Sequence, residues 1–170
     1  AEAVARLESQ GRGRPGSRVC DVTRQADVDA LVAAARAELG RIDVLVNNAG
    51  VACFGVTEAF TVDQVAEQFN TNVFGGLRTK RAVLPHMERQ GSGAIVNISS
   101  VAGIRYLGIP YISYSTTKAA ILQLTQSIAV EYAPKNIRAN AILPGLMHTP
   151  LIEGLARQVY GGDTKKMLEI

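Results

Sequence analysis

Short apolar runs punctuate this chain at residues 42–46, 94–98 and 137–143, and the first is β-branched and too short for a helix. Between them lie stretches long enough to be helices. Strands alternating with helices predict an α/β fold with a parallel sheet, because parallel neighbours need a crossover and a helix is the usual one. The runs at 42–46 and 94–98 lack polar alternation, so they are expected to be buried on both faces. A shorter strand is predicted at 17–20, ending before Asp21. Thr23 is placed to cap a helix that runs to Leu39 and stops at Gly40. Thr61, Val62, Asp63 and Gln64 fit a capping box. Further helices are predicted over 72–89, over 113–133 with Pro134 closing it, and over 150–160. Residues 1–10 read as the tail of another helix.

Length and charge narrow the function classes. At 170 residues with 47% hydrophobic content, the chain suits one domain with a substantial core. A net charge of +3 without any long basic or acidic run gives no footprint for nucleic acid. The densest basic patch, Arg78, Lys80 and Arg81, reads as a solvated helix face. Cys20 and Cys53 have no metal-ligand spacing, and neither do His86 and His148, so no metal site is expected. Cys20 reads as a small core residue. No signal peptide or membrane-spanning run is recognised, and a reducing cytoplasmic setting is the default expectation.

Unusual residues follow each predicted strand at its carboxyl end. They are Asp21 and Val22, then Asn47, Asn48, Ala49 and Gly50, then Ser99 and Ser100, then Pro144 and Gly145. Open parallel sheets bind ligands at that rim. Each group alone is also an ordinary turn or cap; their shared placement carries the weight. Tyr114 and Lys118 stand four apart in a helical run, hence on one face. A nearby ammonium favours a phenolate and would lower the tyrosine pKa, making it a usable general acid or base.

Asn47-Asn48-Ala49-Gly50, Asn72, Asn97-Ile98-Ser99-Ser100, Tyr114 with Lys118, and Pro144-Gly145 followed by Thr149 together resemble the short-chain dehydrogenase/reductase family, in its order and near its spacing. The resemblance implies a Rossmann-type doubly wound parallel sheet, NAD or NADP as cofactor, and hydride transfer to or from a small alcohol or ketone. It implies that Tyr114 exchanges the proton, that Lys118 lowers the tyrosine pKa and binds the nicotinamide ribose, and that Ser100 orients the substrate oxygen. Asn72 resembles the residue that interrupts its helix and holds a relay water. Asp21 and Val22 match adenine contacts. Asn48, Ala49 and Gly50 match the turn beside the cofactor. Pro144, Gly145, Leu146 and Thr149 match the segment beside the carboxamide.

Departures from the family pattern set further expectations. The glycine-rich phosphate loop is absent; Gly11 to Gly16 is interrupted by Pro15 and reads as a connecting loop. Ser100 lies fourteen residues before Tyr114, slightly beyond the usual spacing. Both ends look cut, which predicts a single partial domain over 1–170, truncated at both ends, with 145–170 holding part of a substrate loop. A missing central strand would expose a sheet edge and leave the chain poorly stable on its own. Tyr106, Ile109 and Tyr111 are candidates for a pocket wall, and His148 for a substrate contact. The helix after Lys118 is apolar around most of its circumference, so a homodimer or homotetramer is the expected cover. Epimerisation or dehydration on the same site, and a non-catalytic binding or assembly module, are the alternatives.

Overall fold

A computed structural model describes residues 16–145 together with Glu153 and Arg157. Three parallel strands, β1 (Val44–Asn47), β2 (Gly93–Ile98) and β3 (Ile137–Ile142), form a sheet in that order. Val44 faces Ala94, and Ala94 faces Arg138, which fixes the register across all three. The helices are α1 (Gln25–Leu39), α2 (Val62–Phe69), α3 (Gly75–Gln90) and α4 (Ile112–Tyr132). This is the predicted α/β, Rossmann-type arrangement.

One face of the sheet holds the core. Leu45 of β1, Ile95 of β2, and Ile137 and Ala139 of β3 meet Val32 of α1, Val83 and Met87 of α3, and Ile128 of α4. The opposite parity is more open among the described residues: Val44, Val46 and Ile142 are more than half exposed, while Ala94, Val96 and Ile98 of β2 are half-buried. The expectation that residues 42–46 are buried on both faces is therefore corrected. All three long helices lie on one side, so strand parity decides burial here, and the apolar run does not.

Other expectations are corrected locally. Residues 17–20 form no strand, and Val19 is fully exposed because no neighbour among the described residues pairs with it. Cys20 is half-buried rather than core, and burial pushes its thiol pKa up. Thr23 does not cap α1, whose N-cap is Arg24 with no side-chain cap. Instead Thr23 donates its N–H and its hydroxyl to Asp21 Oδ1, at 2.9 and 2.7 Å, so the carboxylate builds the turn that precedes the helix. The basic patch divides. Arg81 is exposed, whereas Arg78 donates to the carbonyls of Val22 and Asn70. Lys80 is only 2% exposed, and burial pulls its ammonium pKa down to about 8. It points inward because its place on α3 is shared with Gly76, Val83 and Leu84, on the side turned to the core.

The capping box at Thr61 is present: Gln64 N–H donates to Thr61 Oγ1 at 3.3 Å, and Gln64 Oε1 accepts from Thr61 N–H at 2.9 Å. The helix predicted over 72–89 proves continuous with α2. A π turn, Asn70–Phe74, joins α2 to α3. α1 ends at Gly40, as the sequence predicts. Residues 1–15 and 146–150 lie outside the described residues, and so do most of 151–170. Glu153 and Arg157 of the last predicted helix are helical and pair one turn apart at 3.8 Å.

Candidate active site

The rim at the carboxyl ends of β1 and β2 faces the start of α4. Ser99 and Ser100 follow β2 directly and are both buried. Ser100 Oγ accepts the Ala102 N–H at 3.1 Å, capping a short 3-10 turn, Val101–Gly103. That turn presses on α4. A methyl group at Gly103 would lie 2.8 Å from the carbonyl carbon of Lys118 and 2.9 Å from the nitrogen of Ala119. Ser99 Oγ donates to the Lys118 carbonyl at 2.7 Å. The β2 rim and the Lys118 turn are thus bolted together, which brings Ser100 beside Tyr114.

Tyr114 and Lys118 share a face of α4 as expected, with Lys118 Nζ 5.4 Å from the centre of the Tyr114 ring. The electrostatics differ from the sequence expectation. Burial pushes the Tyr114 phenol pKa up, and a hydrogen bond with Ser100 pulls it partly back. Burial also pulls the Lys118 ammonium pKa down. The Lys118 ammonium lies over the ring face and donates to the Ile98 carbonyl at 2.9 Å. In this geometry desolvation outweighs any help that the lysine gives the phenolate, since both groups lose water together and the ammonium is engaged elsewhere.

Asn72 sits in the π turn and is 4% exposed. Such turns gather at functional sites because they tilt a residue out of the regular helical ladder. Its side-chain carbonyl accepts the Val51 N–H at 2.8 Å, and its amide donates to the Val51 carbonyl at 2.9 Å and to Thr117 Oγ1 at 3.0 Å. Asn48, Ala49 and Gly50 form an exposed turn between β1 and Val51. A Cβ at Gly50 would stand 3.2 Å from Asn72 Oδ1 and 3.8 Å from Lys118 Nζ, so glycine keeps this approach to the lysine open.

The other expected cofactor residues lie on the same rim. Val22 packs against Gly75 and shares a cavity of about 160 Å³ with Asn48, Ala49, Asn72 and Lys80. The Asp21 carboxylate is exposed, and its hydrogen bonds from Thr23 hold its pKa low. The Pro144 carbonyl accepts the Val101 N–H at 3.1 Å, which holds the end of β3 against the Ser100 turn. Gly145 is exposed beside it. Leu146, His148 and Thr149 lie outside the described residues.

A larger cavity, about 600 Å³, opens behind Tyr111 and is lined in part by Glu58, Arg105, Tyr106, Tyr111 and Ser115. Tyr111 is 5% exposed and separates this cavity from Tyr114 with an edge-on ring contact at 5.7 Å. Tyr106 and Tyr111 are therefore wall residues, whereas Ile109 packs in a small core with Ala102 and Leu107. Sequence reasoning missed three groups at the site: Ser99 as a tether of Lys118, Thr117 as the partner of Asn72, and Val51 as the backbone that Asn72 grips. The signal available in the sequence was a threonine immediately before Lys118. Among the described residues, no group of three or more His, Cys, Asp or Glu side chains could hold a metal, and no helix is long and apolar enough to cross a membrane.

Known proteins resemble this chain in sequence and in fold. The chain is 47% identical over 137 residues to 2-(R)-hydroxypropyl-CoM dehydrogenase of Xanthobacter autotrophicus, covering 78% of this chain and 54% of that protein. An NAD+-bound xylitol dehydrogenase superposes with a TM-score of 0.89 at 32% identity, over 99% of this chain and 69% of the other. A gluconate 5-dehydrogenase from Burkholderia cenocepacia, in complex with NADP and tartrate, gives 0.84 at 31% identity, over 94% and 62%. The chain spans about 54 to 63% of the length of the curated relatives it matches. A family profile described as short chain dehydrogenase matches residues 1–159. With its parallel sheet, its Asn-Asn-Ala-Gly rim and its Tyr114–Lys118 pair, the chain belongs to the short-chain dehydrogenase/reductase family of oxidoreductases.

Proposed function

We propose that the protein transfers a hydride between NAD or NADP and a small alcohol or ketone, with Tyr114 as general acid and base. The observation that carries this reading is the convergence of Ser100, Tyr114, Lys118 and Asn72 at one end of the sheet, held by bonds that cross from β2 to α4 and from the π turn to α4. The open approach at Gly50 and the exposed turn before it fit the nicotinamide side of a dinucleotide. When bound, that cofactor supplies or accepts the hydride; everything else falls to the chain.

In reduction, the carbonyl carbon gains the hydride and its oxygen gains negative charge. Ser100 holds that oxygen, and Tyr114 donates the proton that neutralises it. In oxidation the phenolate takes the proton back. Burial favours the protonated phenol, so the donor form of Tyr114 is the resting form at neutral pH. Lys118 is placed to hold the ribose with its ammonium, and Asp21 and Val22 to hold the adenine. Pro144, Gly145, Leu146 and Thr149 are assigned to the carboxamide side. A second copy of the chain is the proposed cover for exposed apolar residues such as Ile112 and Val130 of α4, and the setting is proposed to be cytoplasmic.

The test is dinucleotide fluorescence with a panel of secondary alcohols and ketones, followed by Tyr114→Phe. The reading requires cofactor binding to survive and kcat to fall by roughly 10²- to 10⁴-fold, the usual worth of a positioned acid or base. Undiminished turnover by Tyr114→Phe would overturn it.

A further inference from the structure

We propose that Thr117 is a positioning residue for the Tyr114–Lys118 pair, acting through Asn72; this rests on the oxidoreductase reading above. Thr117 is fully buried, although its neighbour Thr116 on the same helix is exposed. Its hydroxyl donates to the Tyr114 carbonyl at 2.8 Å and accepts from Asn72 Nδ2 at 3.0 Å. A threonine hydroxyl has a single proton to give. Spending it on the Tyr114 carbonyl leaves the oxygen lone pairs for Asn72, so the direction of both bonds is fixed.

The consequence is a continuous linkage. Val51, just after the Asn48–Gly50 turn, is gripped at both its N–H and its carbonyl by Asn72. Asn72 is bound to Thr117, and Thr117 to the backbone of Tyr114. On the other flank, Ser99 holds the carbonyl of Lys118, the residue after Thr117. The first turns of α4 are therefore held from two sides. Among the described residues, the Thr117 hydrogen bonds tie the tyrosine to the π turn and through it to the β1 rim.

Thr117→Val keeps the size and branching and removes the hydroxyl. Asn72 Nδ2 then keeps Val51 but loses its second acceptor at a buried position, and the Tyr114 turn loses its tether. Small misplacements of reacting groups cost up to about 100-fold in rate. Thr117→Ser keeps the hydroxyl and is the rescue variant.

The experiment measures kcat, cofactor KM and pH profile for the full chain with Thr117→Val and Thr117→Ser, and the titration of Tyr114 by NMR with tyrosine labelled at Cζ. Thr117→Val is expected to lower kcat by roughly 10- to 100-fold with cofactor KM within about twofold, and to move the Tyr114 titration upward as its contact with Ser100 loosens. Thr117→Ser is expected to restore both. Wild-type kcat and an unmoved Tyr114 titration in folded Thr117→Val would overturn the proposal. So would a Thr117→Ser variant as impaired as Thr117→Val, since that assigns the effect to the lost methyl. If Thr117→Val does not fold, Thr117→Cys, of similar size and weaker in hydrogen bonding, is judged by the same criteria. Full turnover by Tyr114→Phe would sink the oxidoreductase reading instead, and the NMR titration would still decide the role of Thr117.

Discussion

Gly103→Ala tests how tightly the serine rim is bolted to α4. The added methyl would stand 2.8 Å from the Lys118 carbonyl carbon, 2.9 Å from the Ala119 nitrogen and 3.0 Å from the Lys118 oxygen. All three are backbone atoms of a regular helix, so no side chain can swing aside. Comfortable carbon contacts begin near ~3.5 Å, which means the turn or the helix must retreat by about half an ångström or more. Overpacking of this kind costs about 1–3 kcal/mol. For a chain of this size each kcal/mol lowers Tm by about 2–4 °C, so a fall of roughly 2–12 °C is expected. The same retreat separates Ser100 from Tyr114, so kcat should drop more than stability alone explains. Gly16→Ala is the control: among the described residues its methyl would meet only the end of the Glu38 side chain, at 3.4 Å. The assay is thermal denaturation by circular dichroism alongside kcat. A Gly103→Ala protein melting within about 1 °C of wild type, with kcat unchanged, would refute the close packing on which the site geometry depends.

Two further outcomes follow from charge and burial. Lys80 is charged in the unfolded chain up to pH 10.5 but only to about pH 8 in the folded one, so its burial costs stability below pH 8 and the cost fades as pH rises from 8 to 10.5. Lys80→Met should therefore be more stable than wild type at pH 7, by on the order of 3 kcal/mol, with the gap closing toward pH 10.5 in urea titrations at several pH values; a gap independent of pH would contradict this. Ser100→Ala removes the contact that lowers the Tyr114 phenol pKa, so under the proposed reaction the alkaline rise of the oxidation profile should move to higher pH, and an unmoved profile would separate Ser100 from the tyrosine.

What the sequence discloses and what it hides divide along a physical line. Features set by neighbours along the chain were legible: the three short runs, the Thr61 capping box, the stop at Gly40, and Tyr114 over Lys118 at one helical turn. Features set by what the chain meets in space were not. Val44 and Val46 look as buried as Leu45 in a run of apolar letters, and only the one-sided placement of the helices exposes them. Residues 17–20 have the composition of a strand but no strand beside them among the described residues. Lys80 looks like part of a solvated patch, because inward rotation is decided by how α3 sits on the sheet. The Lys118 ammonium was expected to act on the phenol, yet it bonds the Ile98 carbonyl, an atom twenty residues away along the chain. Asn72 stood out by resemblance; its grip on Val51 and Thr117 did not, since each bond spans a different pair of elements.

The polar groups beneath the rim explain why the site can be precise. Thr79 of α3 donates to Asn47 Oδ1 at 2.6 Å, Asn47 donates to Asn97 Oδ1 at 3.0 Å, and Asn97 donates to Thr125 Oγ1 of α4 at 2.9 Å. This chain of amides and hydroxyls crosses α3, β1, β2 and α4 in one line, and Asn97 and Thr125 in it are almost fully buried. Apolar packing alone tolerates small slides between helix and sheet, because its energy depends on area and hardly on direction. Buried hydrogen bonds do not, because a slide leaves a donor unpaired at a cost of about 1–3 kcal/mol. The first asparagine of the rim motif is thus spent on register. It sets where Asn48 to Gly50 emerge from β1 and where Tyr114 and Lys118 stand on α4, so the residues proposed to meet the ligand inherit their positions from a residue held in this network.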